Sequence, residues 1–343
     1  MHKNASTQID PLPMTPDVLA RPVHFGPRRL THANLFVCDL ERSLAFYNGV
    51  CGMEVVLRQP RIGGGFVSNG NTHHDVGMIQ CTPDELFGED GHRILARGQG
   101  AHPGLNHVGW EMETEFDLAK AHQRALAAGW TIHRTVRHQS SHSVYVFDPD
   151  GNVHEFYADV VKDWRGNYDK ASKSASGQWN PAEAPPSMRP AYHADPEIRR
   201  VDAAPLHPLR MTHAVLVARN FDRMRLFLDR GAGLHEATLD EAAGIATYTA
   251  PAARYAFTVA IVRAPQGAGP DARGLHHVSF ELASEDEVAA GRERLSAAGI
   301  AIEREVDAPH KVSLFIRDPN GVRLEFYAPR AGGRGGATDA FRL

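Results

Sequence analysis

Cysteine is scarce: Cys38, Cys51 and Cys81 are the only three in 343 residues, and all lie in the first half. An odd number without a framework spacing excludes a disulfide-stapled fold and points to reduced thiols, so a cytoplasmic location is expected. Long apolar runs are missing as well. Nothing approaches the roughly 20 residues of a membrane-spanning helix, and the opening Met-His-Lys-Asn-Ala-Ser-Thr-Gln-Ile-Asp has no apolar leader segment, so no membrane partner is expected. Positive charge is not in excess either: 37 Lys and Arg face 41 Asp and Glu, for a net charge of −4, and no basic run occurs. That balance argues against nucleic acid as a partner.

What is present suits an ordinary globular chain. Hydrophobic residues at 42% and charged residues at 23% are enough for two domains with separate cores. The 20 histidines stand out by placement rather than by number. His107, in Gly-Leu-Asn-His-Val-Gly-Trp, precedes Glu155, in Asp-Pro-Asp-Gly-Asn-Val-His-Glu-Phe-Tyr-Ala, by 48 residues. His277, in Gly-Leu-His-His-Val-Ser-Phe, precedes Glu325, in Asp-Pro-Asn-Gly-Val-Arg-Leu-Glu-Phe-Tyr-Ala, by the same 48. A further histidine opens each half, His32 in Leu-Thr-His-Ala and His213 in Met-Thr-His-Ala. The halves are offset by 170 residues at the two pairs and by 181 at His32 and His213, as an internal duplication with unequal connections would be.

Each half reads as two βαβββ units. Asp39 and Asn220 are placed to cap helices over 40–48 and 221–229, with Gly49 and Gly231 to stop them. Residues 114–128 and 284–298 carry apolar residues at helical spacing and end at Gly129 and Gly299, and Ser284 with Glu287 forms a capping box. Ser143–Phe147 and Val153–Tyr157 flank an Asp-Pro-Asp-Gly turn as a hairpin, repeated around Asp318-Pro-Asn-Gly. The expected class is therefore α+β, with two tandem domains, each a curled, barrel-like mixed sheet built from two modules. We delimit an N-terminal arm (1–27), domain 1 (28–159), a linker (160–206), domain 2 (207–329) and a Gly-rich tail (330–343). Trp164, Tyr168, Trp179 and Tyr192 suggest that the linker packs onto a domain.

Strand alternation places His32, Asn34 and Phe36 on one face, and likewise His107, Gly109 and Glu111, and Val153, Glu155 and Tyr157. If those faces line one concavity, His32, His107 and Glu155 form a two-histidine, one-carboxylate set. Such a set holds Fe(II), or Mn(II), and leaves coordination positions open on one side.

The repeated units, with His opening each and Glu following Asp-Pro-x-Gly, resemble the vicinal oxygen chelate superfamily over about 28–159 and 208–328. Within it, two segments are similar to type I extradiol ring-cleaving dioxygenases. The first, Phe66-Val-Ser-Asn-Gly-Asn-Thr-His-His-Asp-Val-Gly-Met, places His74 at their acid–base position. The second, Arg137-His-Gln-Ser-Ser-His-Ser-Val-Tyr, supplies His138 and Tyr145, the tyrosine ten residues before the metal Glu; its stretch between His142 and Tyr145 is shorter than in those enzymes. The resemblance implies an Fe(II)-dependent enzyme that opens a catecholic ring with O2. His74, His138 and Tyr145 would be its catalytic residues, a small aromatic diol and O2 its partners, and a homo-oligomer its assembly. The second half keeps its triad, but Phe315 stands where Tyr145 does, and Arg254-Tyr-Ala-Phe-Thr-Val-Ala brings no histidine. We therefore expect chemistry in the first domain and a structural copy in the second. The alternatives are a glyoxalase-like metal-dependent isomerase or lyase, and a non-catalytic ligand-binding protein of the resistance type.

Overall fold

A computed structural model describes residues 15–88, 90–170, 177–267 and 274–330. Residues 331–343 of the Gly-rich tail, the start of the arm and the Ser/Lys-rich centre of the linker lie outside the described residues. Domain 1 contains β1 (Arg29–Val37), α1 (Leu40–Gly49), β2 (Glu54–Gln59), β3 (Gly64–Ser68) and β4 (Val76–Gln80). The second module repeats the order with β5 (Gly104–Glu111), α2 (Glu115–Ala127), β6 (Ile132–Arg137), β7 (Ser141–Phe147) and β8 (Val153–Asp159). These strands form one sheet in the order β6-β7-β8-β5-β1-β4-β3-β2, and a short linker strand, Gly177–Gln178, joins beside β6. Domain 2 follows the same plan. Its first module is β9 (Arg210–Ala218), α3 (Phe221–Leu226), β10 (His235–Asp240), β11 (Ile245–Thr249) and β12 (Val259–Arg263). Its second is β13 (Gly274–Glu281), α4 (Glu285–Ala297), β14 (Arg304–Ala308), β15 (Lys311–Arg317) and β16 (Arg323–Pro329), with sheet order β10-β11-β12-β9-β13-β16-β15-β14.

The two modules of each domain meet along an antiparallel seam, β1 with β5 and β9 with β13, flanked by parallel pairs. The three strands carrying His32, His107 and Glu155 are therefore neighbours at the centre of one curled sheet. Helices cover its convex side. In α2, Leu118, Ala119, Ala121 and Ala125 are buried, and Thr114 caps the helix by accepting from the Asp117 N–H.

The domains share one hydrophobic core and cap each other's helices. Asp150, in the turn after β7, accepts from the backbone N–H groups of Arg219 (2.7 Å) and Asn220 (3.0 Å) at the start of α3. Its counterpart Asn320 accepts from Cys38 N–H (2.8 Å) ahead of α1 and donates to Ser43. This corrects the expected cap of α3: the Asn220 side chain does not close its own helix but donates to Asp150 at 2.6 Å. Asp39 caps α1 as expected. Two expected stops move. Gly49 lies within α1, and α3 runs into a π-turn, Phe227–Ala232, that ends at left-handed Gly233 rather than at Gly231. A Cβ at Gly231 would meet the Trp130 ring, so that glycine serves packing between the domains.

The described part of the arm is not a loose extension. Val23, His24, Phe25 and Gly26 donate backbone hydrogen bonds to Arg230, Gly231 and Ala232 of domain 2, while Arg124 of domain 1 donates to the carbonyls of Val23 and His24. Phe25 is buried and stacks on Phe156 with ring centroids 4.0 Å apart. The segment straps the two domains together.

Candidate metal centre

Strand register sets the site. Gly109 on β5 lies opposite both His32 on β1 and Glu155 on β8, while His107 lies two residues along, opposite Asn34 and Val153. The imidazole of His32 therefore occupies the space above residue 109, and a Cβ there would overlap it. Only glycine leaves room for the ring. The Nε2 atoms of His32 and His107 each approach Glu155 Oε2 at 2.9 Å, and the three ligand atoms lie within 4.8 Å of one another. His107 Nε2 is buried without a well-aligned hydrogen bond. Three buried donor atoms converging on one point, one without a directed partner, fit a divalent ion.

Supporting contacts hold this set in place. Asn106 Oδ1 lies 2.7 Å from His107 Nδ1, and Thr31 Oγ1 lies 3.3 Å from His32 Nδ1, so both rings present Nε2 inward. Tyr145 donates to Glu155 Oε1 at 2.6 Å. Because that phenol donates to the carboxylate, its oxygen accepts from His138 Nε2–H at 3.0 Å. His138, Tyr145 and Glu155 thus form a chain of directed hydrogen bonds. His74 stands on the opposite wall, its ring 4.2 Å from that of His32 and its Nε2 3.1 Å from Asn34 Oδ1. Gly77 clears the space that Asn34 needs, since a Cβ there would overlap the amide.

Electrostatics follow from burial and from these contacts. Burial pushes His32 down to about 4 and His138 to about 4. His74 falls well below the usual histidine range through burial and the neighbouring His32 and His73. All three are neutral near pH 7, the form that accepts a proton or binds a metal. Burial pushes Glu155 up, but the close approach of His107 and His32 outweighs it and holds the carboxyl well below its ordinary range. Burial, with the Glu155 charge, raises Tyr145 well above the usual phenol range, so it acts as a donor and not a base.

His74, His107, His138, Tyr145 and Glu155 face a cleft of about 820 Å³ whose other walls include Phe66, Leu57, Ile79 and Arg134. Its composition, mostly apolar with a few convergent polar groups, suits a small aromatic molecule. Several lining residues are not apparent from motifs. His73 lies 3.2 Å from Asp159, and that contact outweighs burial and raises its pKa. Arg134 covers the Tyr145 ring at 4.2 Å. Alternation back from His138 through Val136 places Arg134 on the same face, a signal available in the sequence. Tyr168, from the linker helix Trp164–Lys170, also reaches the cleft. Phe66 lines the cleft, whereas Trp110 and Phe156 belong to the core behind the sheet. His142 points away, bonded to Glu115 at 2.7 Å and stacked on Trp179. The short stretch before Tyr145 is not a loop at all but part of β7.

The profile of the Glyoxalase/Bleomycin resistance protein/Dioxygenase superfamily matches residues 29–156 and 210–326, most of both domains. The chain belongs to this superfamily. Metapyrocatechase 2 of Cupriavidus necator is 28% identical over 163 residues, which cover 45% of this chain and 45% of that protein, so the chain spans about half the length of the curated relative it matches. Among solved structures, the 2,3-dioxygenase LapB from Pseudomonas sp. KL28 superposes with a TM-score of 0.63 at 16% identity, covering 90% of this chain and 95% of that one. A Mn(II)-bound glyoxalase from Novosphingobium aromaticivorans gives 0.61 at 17% identity, covering 88% and 82%. A variant of homoprotocatechuate 2,3-dioxygenase from B. fuscum gives 0.60 at 19%, covering 90% and 73%. At these identities the structures establish the two-domain superfamily fold.

The second superfamily domain repeats the triad with different surroundings. His213 and His277 place Nε2 3.4 and 3.8 Å from Glu325 Oε2. Ser279 replaces the clearing glycine and donates to Glu325 Oε2 at 2.7 Å. Lys311, wholly buried, places its ammonium 2.6 Å from Oε1, an ion pair without the alignment of a directed hydrogen bond. Its counterpart in domain 1 is Ser141, which lines the open cleft. Tyr255 stacks on His213 at 4.6 Å, and Phe257 and Phe315 close the remaining sides. Both carboxylate oxygens are engaged from within the protein.

Proposed function

We propose that this chain is an extradiol-type dioxygenase working in its N-terminal domain, with His32, His107 and Glu155 holding Fe(II), or Mn(II), and a catecholic diol and O2 as substrates. The observation that carries this reading is the cleft before the first triad, where His74, His138 and Tyr145 converge on the metal-ligand atoms. Similarity to a metapyrocatechase supports the same class. A metal held there would supply chelation of the diol and a path for electrons between it and O2. Neutral His74 is placed to take a proton from a diol hydroxyl and return it to an oxygen later in the reaction. The His138–Tyr145–Glu155 chain keeps the carboxylate oriented, and with substrate bound the Tyr145 O–H or the His138 N–H would turn from its partner in the chain to a substrate oxygen where charge develops. Apolar Phe66, Leu57 and Ile79 would hold the ring and exclude water.

The same fold serves a Mn(II)-bound glyoxalase, so a metal-dependent isomerase is the second reading. Against it, Glu155 is the single carboxylate lining the cleft among the described residues, leaving histidines as the available proton carriers. Oxygen uptake separates the two. The Fe(II)-loaded protein should consume O2 with a catechol and release a yellow ring-opened product. No uptake with any of several substituted catechols would refute the dioxygenase reading.

A further inference from the structure

A second cleft, of about 500 Å³, opens where the two domains meet, and shares no lining residue with the first. Arg28, Arg29 and Asn71 of domain 1, Arg210 and Arg254 of domain 2, and His193 of the linker all face it, and no carboxylate does. The arginines are not neutralised equally. Arg28 and Arg29 share buried Glu111, with Arg29 Nε 2.7 Å from Oε2. Arg210 Nε lies 3.4 Å from Glu281 without a directed hydrogen bond. Arg254 is exposed and makes no ion pair with a described residue. Burial, with repulsion from Arg254 and Arg29, lowers the pKa of Arg210 despite Glu281.

Asn71 gives an independent observation. Its amide is 3% exposed, and its Oδ1 accepts from Arg29 Nη1 at 3.0 Å, which fixes the amide's orientation. The Nδ2 on the other side is buried with no acceptor. A buried orphan donor costs stability unless a ligand completes it. Here it lines a cavity whose other polar walls are mainly guanidinium donors.

We propose that this junction is an oxyanion site, taking a phosphate or carboxylate group between the domains. Planar guanidinium forks match the paired oxygens of either group, and an amide donor adds direction. A bound anion would touch the opening residues of both β1 and β9, and so fasten one domain to the other. The site stands apart from the dioxygenase reading.

Calorimetric titration of the full chain tests it, with inorganic phosphate and with acetate at ionic strength held constant by chloride. At least one anion should bind saturably, and the tighter one identifies phosphate or carboxylate as the preferred group. Arg254→Ala, at an exposed position, should weaken binding about ten- to a hundredfold, and Asn71→Leu should weaken it as well. Arg254→Glu should abolish it. No saturable heat with either anion overturns the proposal. So does binding that persists unchanged in Arg254→Glu, which would place the anion elsewhere.

Discussion

Replacing Lys311 by serine, the residue at its counterpart Ser141, should convert the second triad into a metal site. In the native protein the buried ammonium lies 2.6 Å from Glu325 Oε1 and supplies the positive charge that a divalent ion would otherwise bring. Burial pushes Glu325 up, but Lys311 and His213 more than reverse this and hold it ionised. Without the lysine, a fully buried carboxylate loses its main counter-charge, at a cost of about 3–5 kcal/mol. The K311S protein in chelator should therefore unfold at much lower urea concentration than wild type. Metal should restore most of the loss, because His213, His277 and Glu325 then share an ion. Elemental analysis after loading and desalting should give one metal per chain in wild type and two in K311S. Lys311→Met, which removes the charge but keeps the bulk, should be destabilised without gaining the second metal. Two metals in wild type, or one in folded K311S, would refute the reasoning.

Other outcomes follow from the geometry. His74→Ala and Tyr145→Phe should each lower turnover by about 10²–10⁴-fold while metal content stays at the wild-type level; loss of metal in either would make the residue structural. Phe25→Ala should cost about 3–5 kcal/mol in chemical denaturation, because the strap loses its buried ring against Phe156; no change would mean that the arm does not hold the domains. Asp150→Ala should cost about 1–3 kcal/mol, since three donors at the start of α3 lose their acceptor. Acid should destabilise the metal-free protein. Burial pushes His133 down to about 3 and His276 to about 4, so the unfolded chain protonates first as pH falls below the ordinary 6.5. Stability is then full above 6.5 and lost between there and about 4 for His276 and about 3 for His133, by up to about 1.4 kcal/mol per pH unit for each histidine. Urea midpoints compared across that range check the slope, and a flat profile would contradict it.

The duplication and the convergence of each His/His/Glu triad were legible because backbone geometry demands them. His32, His107 and Glu155 lie on adjacent strands, and a ligand set built on strands must respect a period of two and a fixed register. Capping residues such as Asp39 and Ser284 were equally local, each bonding an N–H three residues on. Contacts between domains were not legible. Nothing near Asn220 signals that its helix is capped by Asp150, 70 residues earlier, because the cap exists only once the domains dock. That the N-terminal arm packs between the domains was hidden for the same reason. Its apolar Leu19, Val23 and Phe25 are too few to show a period, and their burial depends on surfaces from both domains. The asymmetry between the triads was visible in part. Phe315 and the missing histidine pointed to it, whereas Lys311 and Ser279 became meaningful only when the sheet placed both on Glu325.

The most direct test of the central claim compares His32→Ala with His213→Ala in the Fe(II)-loaded protein, recording metal content and catechol-dependent oxygen uptake together. His32→Ala should lose both, and His213→Ala should keep one metal per chain and most of its uptake. Uptake that survives His32→Ala and disappears in His213→Ala would place the chemistry in the second domain and contradict that claim.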